Sequence, residues 1–169
     1  MRKYLILIFT AICLTFCANH REVRRIRNFV EAHTGLDTLI RIDGYFYRSD
    51  SIWLNLPFIL LDNGRVYTTN GRFSTHNQIQ EFFNHSPNRR RNAYYTLSND
   101  TIKIRSASRF DFMSYDIFLT KFVIVNDTTL RQIWHVCETG CGRGRDEQPD
   151  SVMDEIFKFF QYDFDFGTE

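Results

Sequence analysis

Two hairpin signals that share the letters Asn-Asp-Thr constrain the fold of this 169-residue chain more than any other feature. They stand at residues 99–101 and 126–128, each between runs of apolar and β-branched residues. Asn and Asp accept left-handed backbone angles and bond to their own backbone, whereas Thr favours re-entry into a strand. Asn63-Gly64 is a further hairpin signal between apolar runs, because tight hairpin turns need positive φ. The sequence therefore predicts successive antiparallel hairpins.

The composition, and the alternation of apolar with polar residues, predict that the whole domain is mainly β. The chain has 17 Phe and 8 Tyr, residues that favour strands and bury large apolar areas. About seven or eight short strands, arranged as an antiparallel up-and-down meander that closes into a β-barrel, would leave no exposed edge. The interior of such a barrel is either filled by side chains or holds one small ligand. The side chains expected to point inwards are Ile40, Ile42, Phe46, Val66, Ile102, Ile104, Leu130 and Trp134.

An amphipathic helix is predicted at residues 18–36, packed outside the barrel. Val23, Ile26 and Val30 recur at helical spacing, and Gly35 is a C-terminal stop signal. The other face of this helix carries Arg21, Arg24, Arg25 and Arg27. These arginines either attract anionic phospholipid headgroups or simply form a solvated face.

Two further short helices are expected. One follows Ser74 or Thr75, either of which is a suitable N-cap, and turns Ile79, Phe82 and Phe83 inwards. The other is predicted over residues 151–160, where it would also pack outside the barrel.

The N-terminus has the pattern of a secretory signal peptide. Arg2 and Lys3 precede an uncharged, mostly apolar run over residues 4–16, which ends at Cys17. A membrane-spanning helix needs roughly 20 apolar residues, so a permanent span is not expected. The sequence therefore divides into a signal peptide at residues 1–17, the amphipathic helix, and a single barrel-like domain at residues 37–169.

The end of this signal resembles a bacterial lipobox, in which the cysteine becomes the first mature residue and its thiol carries diacylglycerol. Leu14-Thr15-Phe16-Cys17 matches this pattern except that Phe16 is not small. Acyl chains on Cys17 would hold the protein on a membrane surface, since each buried methylene contributes about 0.8 kcal/mol. The alternative is cleavage by the ordinary signal peptidase near Cys17 or Ala18 without lipidation.

Charge and motif content exclude several function classes. Lys plus Arg total 21 and Asp plus Glu total 20; removal of Arg2 and Lys3 leaves 19 against 20, so no net charge attracts a polyanion. Residues 89–91 are all Arg, but they follow Pro87 in a predicted solvated loop. No Gly-rich phosphate loop, His-Glu-x-x-His or Gly-x-Ser-x-Gly occurs. The sequence names no catalytic residue, cofactor site or metal site, and no nucleic-acid partner is expected.

Cys137 and Cys141 are the remaining candidate pair in the mature chain. Zinc normally takes four protein ligands at a structural site, so one Cys-x-x-x-Cys without nearby His is weak evidence for a metal. An oxidising compartment favours a disulfide between these cysteines, and Gly140 and Gly142 would let so small a ring close. Two reduced thiols are the alternative.

A family resemblance agrees with these features. The succession "GYFY", "ILLDNGRVYTT", "YTLSNDTIKI", "FVIVNDTTLRQI" and "QPDSVMDEIFKFF" resembles the small lipocalin-like or calycin-like lipoproteins of Bacteroidetes over most of residues 40–160. The resemblance implies a closed or nearly closed antiparallel barrel outside the cytoplasm and brings no catalytic residues with it.

The expected function is that of an exported, lipid-anchored, non-enzymatic protein of the bacterial cell envelope, facing the periplasm or the cell surface. It would be a monomer attached to the membrane through Cys17 and would act as a binding or protein-interaction module. Two alternatives stay open. The barrel interior could carry a small apolar ligand, or the protein could be an enzyme whose site has no recognisable motif.

Overall fold

A computed structural model describes residues 21–26, 29, 35–49, 53–69, 71–85, 93–109, 115–139 and 154–164 of the chain. Helix α1 covers residues 21–26, a 3-10 helix covers Leu36–Thr38, and helix α2 covers His76–His85. The strands are β1 (Gly44–Ser49), β2 (Leu54–Leu60), β3 (Arg65–Thr68), β4 (Arg72–Phe73), β5 (Ala93–Ser98), β6 (Thr101–Arg109), β7 (Tyr115–Asn126), β8 (Thr129–Thr139) and β9 (Glu155–Gln161).

Eight of these strands form a closed antiparallel barrel. The order around the barrel is β1-β9-β8-β7-β6-β5-β3-β2, and β2 pairs with β1 to complete the ring. Each strand therefore lies beside its neighbours in sequence, apart from β4, which pairs with Leu54 and Asn55 at the start of β2. The predicted mainly β fold, up-and-down meander and closed barrel are confirmed.

The C-terminal segment corrects one prediction, because residues 155–161 form strand β9 and not a helix. Its side chains alternate across the sheet, so Phe157 is 1% exposed and Ile156 is 43% exposed. β9 pairs with β1 on one side and β8 on the other, which closes the barrel. The spacing of the apolar residues in this segment is compatible with a helix and with a strand. The segment forms a strand because it pairs with the edges of β1 and β8, which would otherwise be exposed.

The three predicted hairpin turns are confirmed, with a difference between the two Asn-Asp-Thr copies. In the β5–β6 hairpin Asn99 itself adopts a positive φ of 55°. In the β7–β8 hairpin Asn126 is the last strand residue, and its side-chain Oδ1 accepts a bond from the Thr128 amide at 3.0 Å. The β2–β3 turn places Gly64 at φ 80°. All three turns lie at one end of the barrel, here called the closed end.

Apolar side chains fill the barrel at its closed end. Leu36 and Ile40, from the 3-10 helix and the segment after it, pack against Val66, Ile102 and Leu130. The amide of Arg41 donates to the carbonyl of Asp127 at 2.9 Å, which ties this plug to the β7–β8 turn. These contacts confirm most of the predicted inward positions, including Phe46 and Ile104, while Ile42 packs against the same core and is partly buried.

The two α-helices pack on the outer surface of the barrel. Val23 and Ile26 of α1 are each 2% exposed and contact Tyr94, Ala107 and Ile117 on β5, β6 and β7. The apolar side chains of this short helix therefore face the barrel, and the rest of the predicted helix at residues 18–36 lies largely outside the described residues. No helix in the described ranges is long and apolar enough to cross a membrane.

Helix α2 covers another part of the outer surface. Ile79 and Phe83 are fully buried against Tyr45, Ile59 and Tyr67. Tyr45 lies on the outer face of β1, where α2 buries it completely. The helix begins as predicted, since the Gln78 amide donates to Thr75 Oγ1 at 3.4 Å and Gln78 Oε1 accepts from the Ser74 amide at 2.8 Å.

Candidate functional site

The end of the barrel opposite the closed end contains a cavity of about 360 Å³. Its apolar lining residues are Leu56, Phe58, Ile104, Phe122 and Phe157. Its polar lining residues are Arg48, Thr68, Thr69, Ser106, Thr120, Gln132, His135 and Glu155. Residues from nearly every strand of the barrel contribute, so only the closed ring brings them together.

Three phenylalanines form the floor of this cavity. Phe58 on β2, Phe122 on β7 and Phe157 on β9 contact one another with ring centroids 5.3 to 5.5 Å apart. All three are nearly fully buried, at 4%, 3% and 1% exposure. Tilted and edge-on aromatic pairs at such distances are stabilising beyond the area that they bury. The floor therefore separates the packed interior from the cavity above it.

An irregularity in β2 turns Leu56 towards this cavity. The pairing of β1 with β2 shifts between Phe46↔Phe58 and Arg48↔Asn55, so β2 contains an additional residue there. Leu56 has a φ of 48°, which is strained for a residue with a branched side chain. The bulge also lies next to Pro57. Proline has no amide hydrogen to donate to a neighbouring strand, so within a sheet it is tolerated at such irregular positions.

An ion pair forms one side of the wall. Nη1 of Arg48 on β1 donates to Oε1 of Glu155 on β9, and the two side chains are 32% and 24% exposed. Because the two charges are opposite, this part of the wall is neutral overall. The side chain of Gln132 on β8, a residue that is 5% exposed, adds an amide to the lining.

His135 occupies the interior because of a bulge in β8. The β7–β8 register shifts from Phe122↔Gln132 to Lys121↔Trp134, so Ile133 is an extra residue. The prediction that Trp134 points inwards is therefore wrong: the indole lies on the outer surface, with Lys121 Nζ 5.3 Å from its ring centroid.

His135, and not Trp134, points into the barrel, and its imidazole contacts two residues of β7. Nδ1 of His135 lies 2.9 Å from Oγ1 of Thr120, the residue paired with it on β7. Its ring is stacked on Phe118 with centroids 5.4 Å apart and an interplanar angle of 8°. The bulge thus exchanges an apolar residue for a hydrogen-bonding one in the wall.

The lining has the chemistry of a binding pocket. Within the described residues no group of three or more His, Cys, Asp or Glu side chains is arranged to hold a metal ion. The wall offers hydroxyl, amide, imidazole, guanidinium and carboxylate groups above an aromatic floor. Such a site can bind the apolar part of a small molecule below and its polar part above.

The residues predicted from sequence as sites lie elsewhere. Cys17 and Cys141 are outside the described residues. Cys137 lies on β8, paired with Phe118, near the same end of the barrel as the cavity. Sequence reasoning missed the polar wall because each member lies on a different strand. The available signal was a polar residue at inward-facing positions of otherwise apolar strands, as at Ser106 and Thr120.

Comparison with known proteins adds no relative: no family model, curated protein or solved structure matches this chain.

Proposed function

We propose that this protein binds a small amphipathic molecule in the cavity of its barrel. The observation that carries the proposal is the pairing of a phenylalanine floor with a polar wall in one cavity of about 360 Å³. Small-molecule sites commonly have volumes of about 300–1,000 Å³ and combine an apolar lining with a few polar groups. The cavity falls at the lower end of that range, which suits a single ligand of moderate size.

The cavity is larger than structural water alone would require. One water occupies about 30 Å³ in the liquid, so the volume corresponds to roughly a dozen waters. Water over an aromatic floor is readily displaced by an apolar group, because the floor offers it no hydrogen bond. This favours the ligand-carrier alternative over a barrel whose interior is completely filled.

The wall favours a ligand whose polar end is uncharged. Arg48 is already paired with Glu155, so a ligand carboxylate would have to displace Glu155 or lie beside it. Breaking such a partly buried pair leaves a charge without a partner, which costs free energy. An alcohol or amide would instead bond to Gln132, Thr120 or His135 at no such cost.

A displacement assay tests the proposal. The neutral fluorophore N-phenylnaphthylamine is expected to bind saturably and to be displaced by decanol. Ser106→Leu, which places a larger side chain in the cavity, should weaken binding at least tenfold. Ser98→Leu is the matched control, because Ser98 is exposed on the outer face of β5. Non-saturable binding by the wild type, or equal affinity in both variants, would refute the site.

Comparing decanol with decanoate tests the chemistry of the polar end. We expect decanol to displace the probe at lower concentration at neutral pH, and Glu155→Gln to reverse the order by leaving Arg48 available to the carboxylate. If decanoate binds more tightly to the wild type, the ligand is an anion and the neutral-ligand proposal is wrong.

The proposed location of this binding activity is the bacterial cell envelope. The signal-peptide pattern and the lipobox-like end at Cys17 support export and membrane attachment. The resemblance to lipocalin-like envelope lipoproteins agrees with a binding role that is not enzymatic. A protein-interaction role is the second candidate, favoured by the exposed apolar side chains Trp53, Val125 and Ile156.

A further inference from the structure

One part of the outer barrel surface combines lysines that form no ion pair with the described residues and apolar side chains such as the exposed Ile156. We define the basic face as the outward residues Lys103, Lys121, Trp134, Arg131, Ile156 and Lys158 on β6, β7, β8 and β9. Strand pairing sets these residues side by side: Lys103↔Lys121↔Trp134 forms one row and Arg131↔Ile156 lies in the next. Lys158 follows Ile156 on the same face of β9.

The two lysines of the first row face each other directly. Side chains at directly opposite positions of an antiparallel pair have Cβ atoms about 4.5–5.5 Å apart, and like charges there are destabilising. Ion pairs made by the described residues use the arginines Arg25, Arg41, Arg48, Arg105 and Arg131, and none uses Lys103, Lys121 or Lys158. The protein therefore holds concentrated positive charge that its own described carboxylates do not neutralise.

Nearby carboxylates are already paired with arginines. Asp154 Oδ1 accepts from Arg131 Nε at 2.6 Å, and Glu138 Oε2 accepts from Arg105 Nε at 2.8 Å. Arg105 also donates to Glu22 of α1 at 3.0 Å, so this carboxylate is paired as well.

Apolar groups are interleaved with these charges. Ile156 is 43% exposed between the positions of Arg131 and Lys158, and Val125 at the end of β7 is 54% exposed. The indole of Trp134 lies under Lys121 Nζ. Lysine stems, indole rings and aliphatic side chains are the groups that enter the interface of a lipid bilayer, where ammonium groups contact headgroup phosphates.

We propose that the basic face docks on an anionic phospholipid membrane. Charge complementarity supplies attraction, and the exposed Ile156 and the half-buried Trp134 enter the headgroup region. A purely polar polyanion would gain nothing from the apolar side chains, which favours the lipid surface over nucleic acid. Docking through this face would leave the mouth of the cavity at the end of the barrel clear of the membrane contact.

Vesicle sedimentation tests this docking on the chain from Ala18 onwards, which contains every described residue and has no acyl chain. We expect binding to phosphatidylcholine vesicles that contain phosphatidylglycerol, and loss of binding at high salt or without the anionic lipid. Each lysine near an anionic surface contributes about a factor of five, so Lys103→Gln/Lys121→Gln/Lys158→Gln should weaken binding on the order of 100-fold. The triple Lys→Arg variant should bind like the wild type.

Additional variants and a heparin-binding measurement distinguish membrane docking from misfolding and from general binding of polyanions. Lys158→Gln should weaken binding about fivefold, whereas Arg72→Gln, an exposed arginine on β4, should not. Ile156→Ser should weaken vesicle binding without changing heparin binding. In a Trp53→Phe background, Trp134 fluorescence should shift to shorter wavelength on docking. Unchanged binding by the triple Gln variant, or heparin binding without vesicle binding, would overturn the proposal.

Discussion

The hydroxyl oxygen of Tyr45 lies 2.6 Å from Nδ1 of His76, which joins strand β1 to the first residue of helix α2. The imidazole is also stacked on Phe160 of β9, with centroids 3.8 Å apart and an interplanar angle of 15°. Burial raises the pKa of the Tyr45 phenol and lowers the pKa of His76. This favours a neutral imidazole that accepts a hydrogen bond from the tyrosine hydroxyl, so α2 is held in place by a bond that depends on pH.

The lowered pKa of His76 predicts that the protein loses stability in mild acid. The unfolded chain binds a proton at the ordinary histidine pKa of 6.5, whereas the folded chain resists it. The contribution of His76 is therefore complete above pH 6.5 and is lost as the pH falls from 6.5 through the lowered folded value. Urea unfolding at pH 7.5 and at pH 5 measures the difference.

His85 at the other end of α2 provides the control for this prediction. His76→Asn retains an acceptor near the Tyr45 hydroxyl but has no titrating ring, so the fall in stability between the two pH values should shrink. His85→Asn, at an exposed position of the same helix, controls for the replacement of a histidine by asparagine. An identical pH dependence in the wild type and His76→Asn would show that other groups cause it.

Neighbouring residues on β9 should differ greatly in their contribution to stability. Phe157→Ala removes one ring of the cavity floor from a residue that is 1% exposed, and we expect it to cost about 3–5 kcal/mol of unfolding free energy. Ile156→Ala, at 43% exposure on the outer surface, should cost about 0.5 kcal/mol or less. Denaturant unfolding of the two variants measures both values. Similar losses would argue against the alternation of a strand.

Gly44 should not tolerate a side chain. A Cβ at this position would overlap the carbonyl oxygen of Phe160 and lie 2.7 Å from Cζ of Phe159, because β9 packs closely against β1 there. We expect Gly44→Ala to destabilise the protein by about 1–3 kcal/mol in thermal or urea unfolding. Thr96→Ala on the exposed face of β5 should stay within about 0.5 kcal/mol of the wild type.

Membrane attachment through Cys17 predicts covalent labelling of the wild-type protein in a bacterial host. Metabolic incorporation of a palmitate analogue should tag the wild type, and Cys17→Ser should remain untagged. Cys13→Ser is the matched control and should still be tagged. A labelled Cys17→Ser protein, or an unlabelled wild type released into the soluble fraction, contradicts the anchor.

A disulfide between Cys137 and Cys141 predicts the number of titratable thiols in the mature protein. Under denaturing, non-reducing conditions the wild type and the Cys137→Ser/Cys141→Ser variant should show equal numbers of free thiols. Reduction should add two thiols to the wild type alone. Two more free thiols in the unreduced wild type than in the variant would mean that both cysteines are reduced.

Local turn chemistry explains why the barrel could be predicted from sequence. Asn63-Gly64 and the two Asn-Asp-Thr turns depend on backbone angles that few residues accept, so each marks its hairpin without help from distant residues. The assignment of β9 as a helix shows the opposite case. The spacing of its apolar residues is compatible with a helix or a strand. Whether the segment forms a strand depends on pairing with β1, more than 100 residues away, as the register Phe46↔Phe159 shows.

The candidate site was harder to predict because it depends on bulges. The extra residue Ile133 in β8 places His135 inside and Trp134 outside, although strict alternation predicts the reverse. The ion pair of Arg48 with Glu155 joins strands whose residues are 107 positions apart. Neither a bulge nor a pairing between distant strands produces a regular spacing of residues that could be recognised in a single sequence.

Closure of the barrel by β9 also determines when folding can finish. β1, near the start of the described chain, and β8 each have one open edge until residues 155–161 become available. Pairings of such high sequence separation form slowly, and exposed edges are sites of association with other chains. A nascent chain in which residues 155–161 have not yet been synthesised therefore has two unpaired strand edges that can associate with other chains. A chaperone that covers β1 and β8 during that interval would increase the yield of folded protein, and truncation before Glu155 would convert the closed ring into an aggregation-prone open sheet.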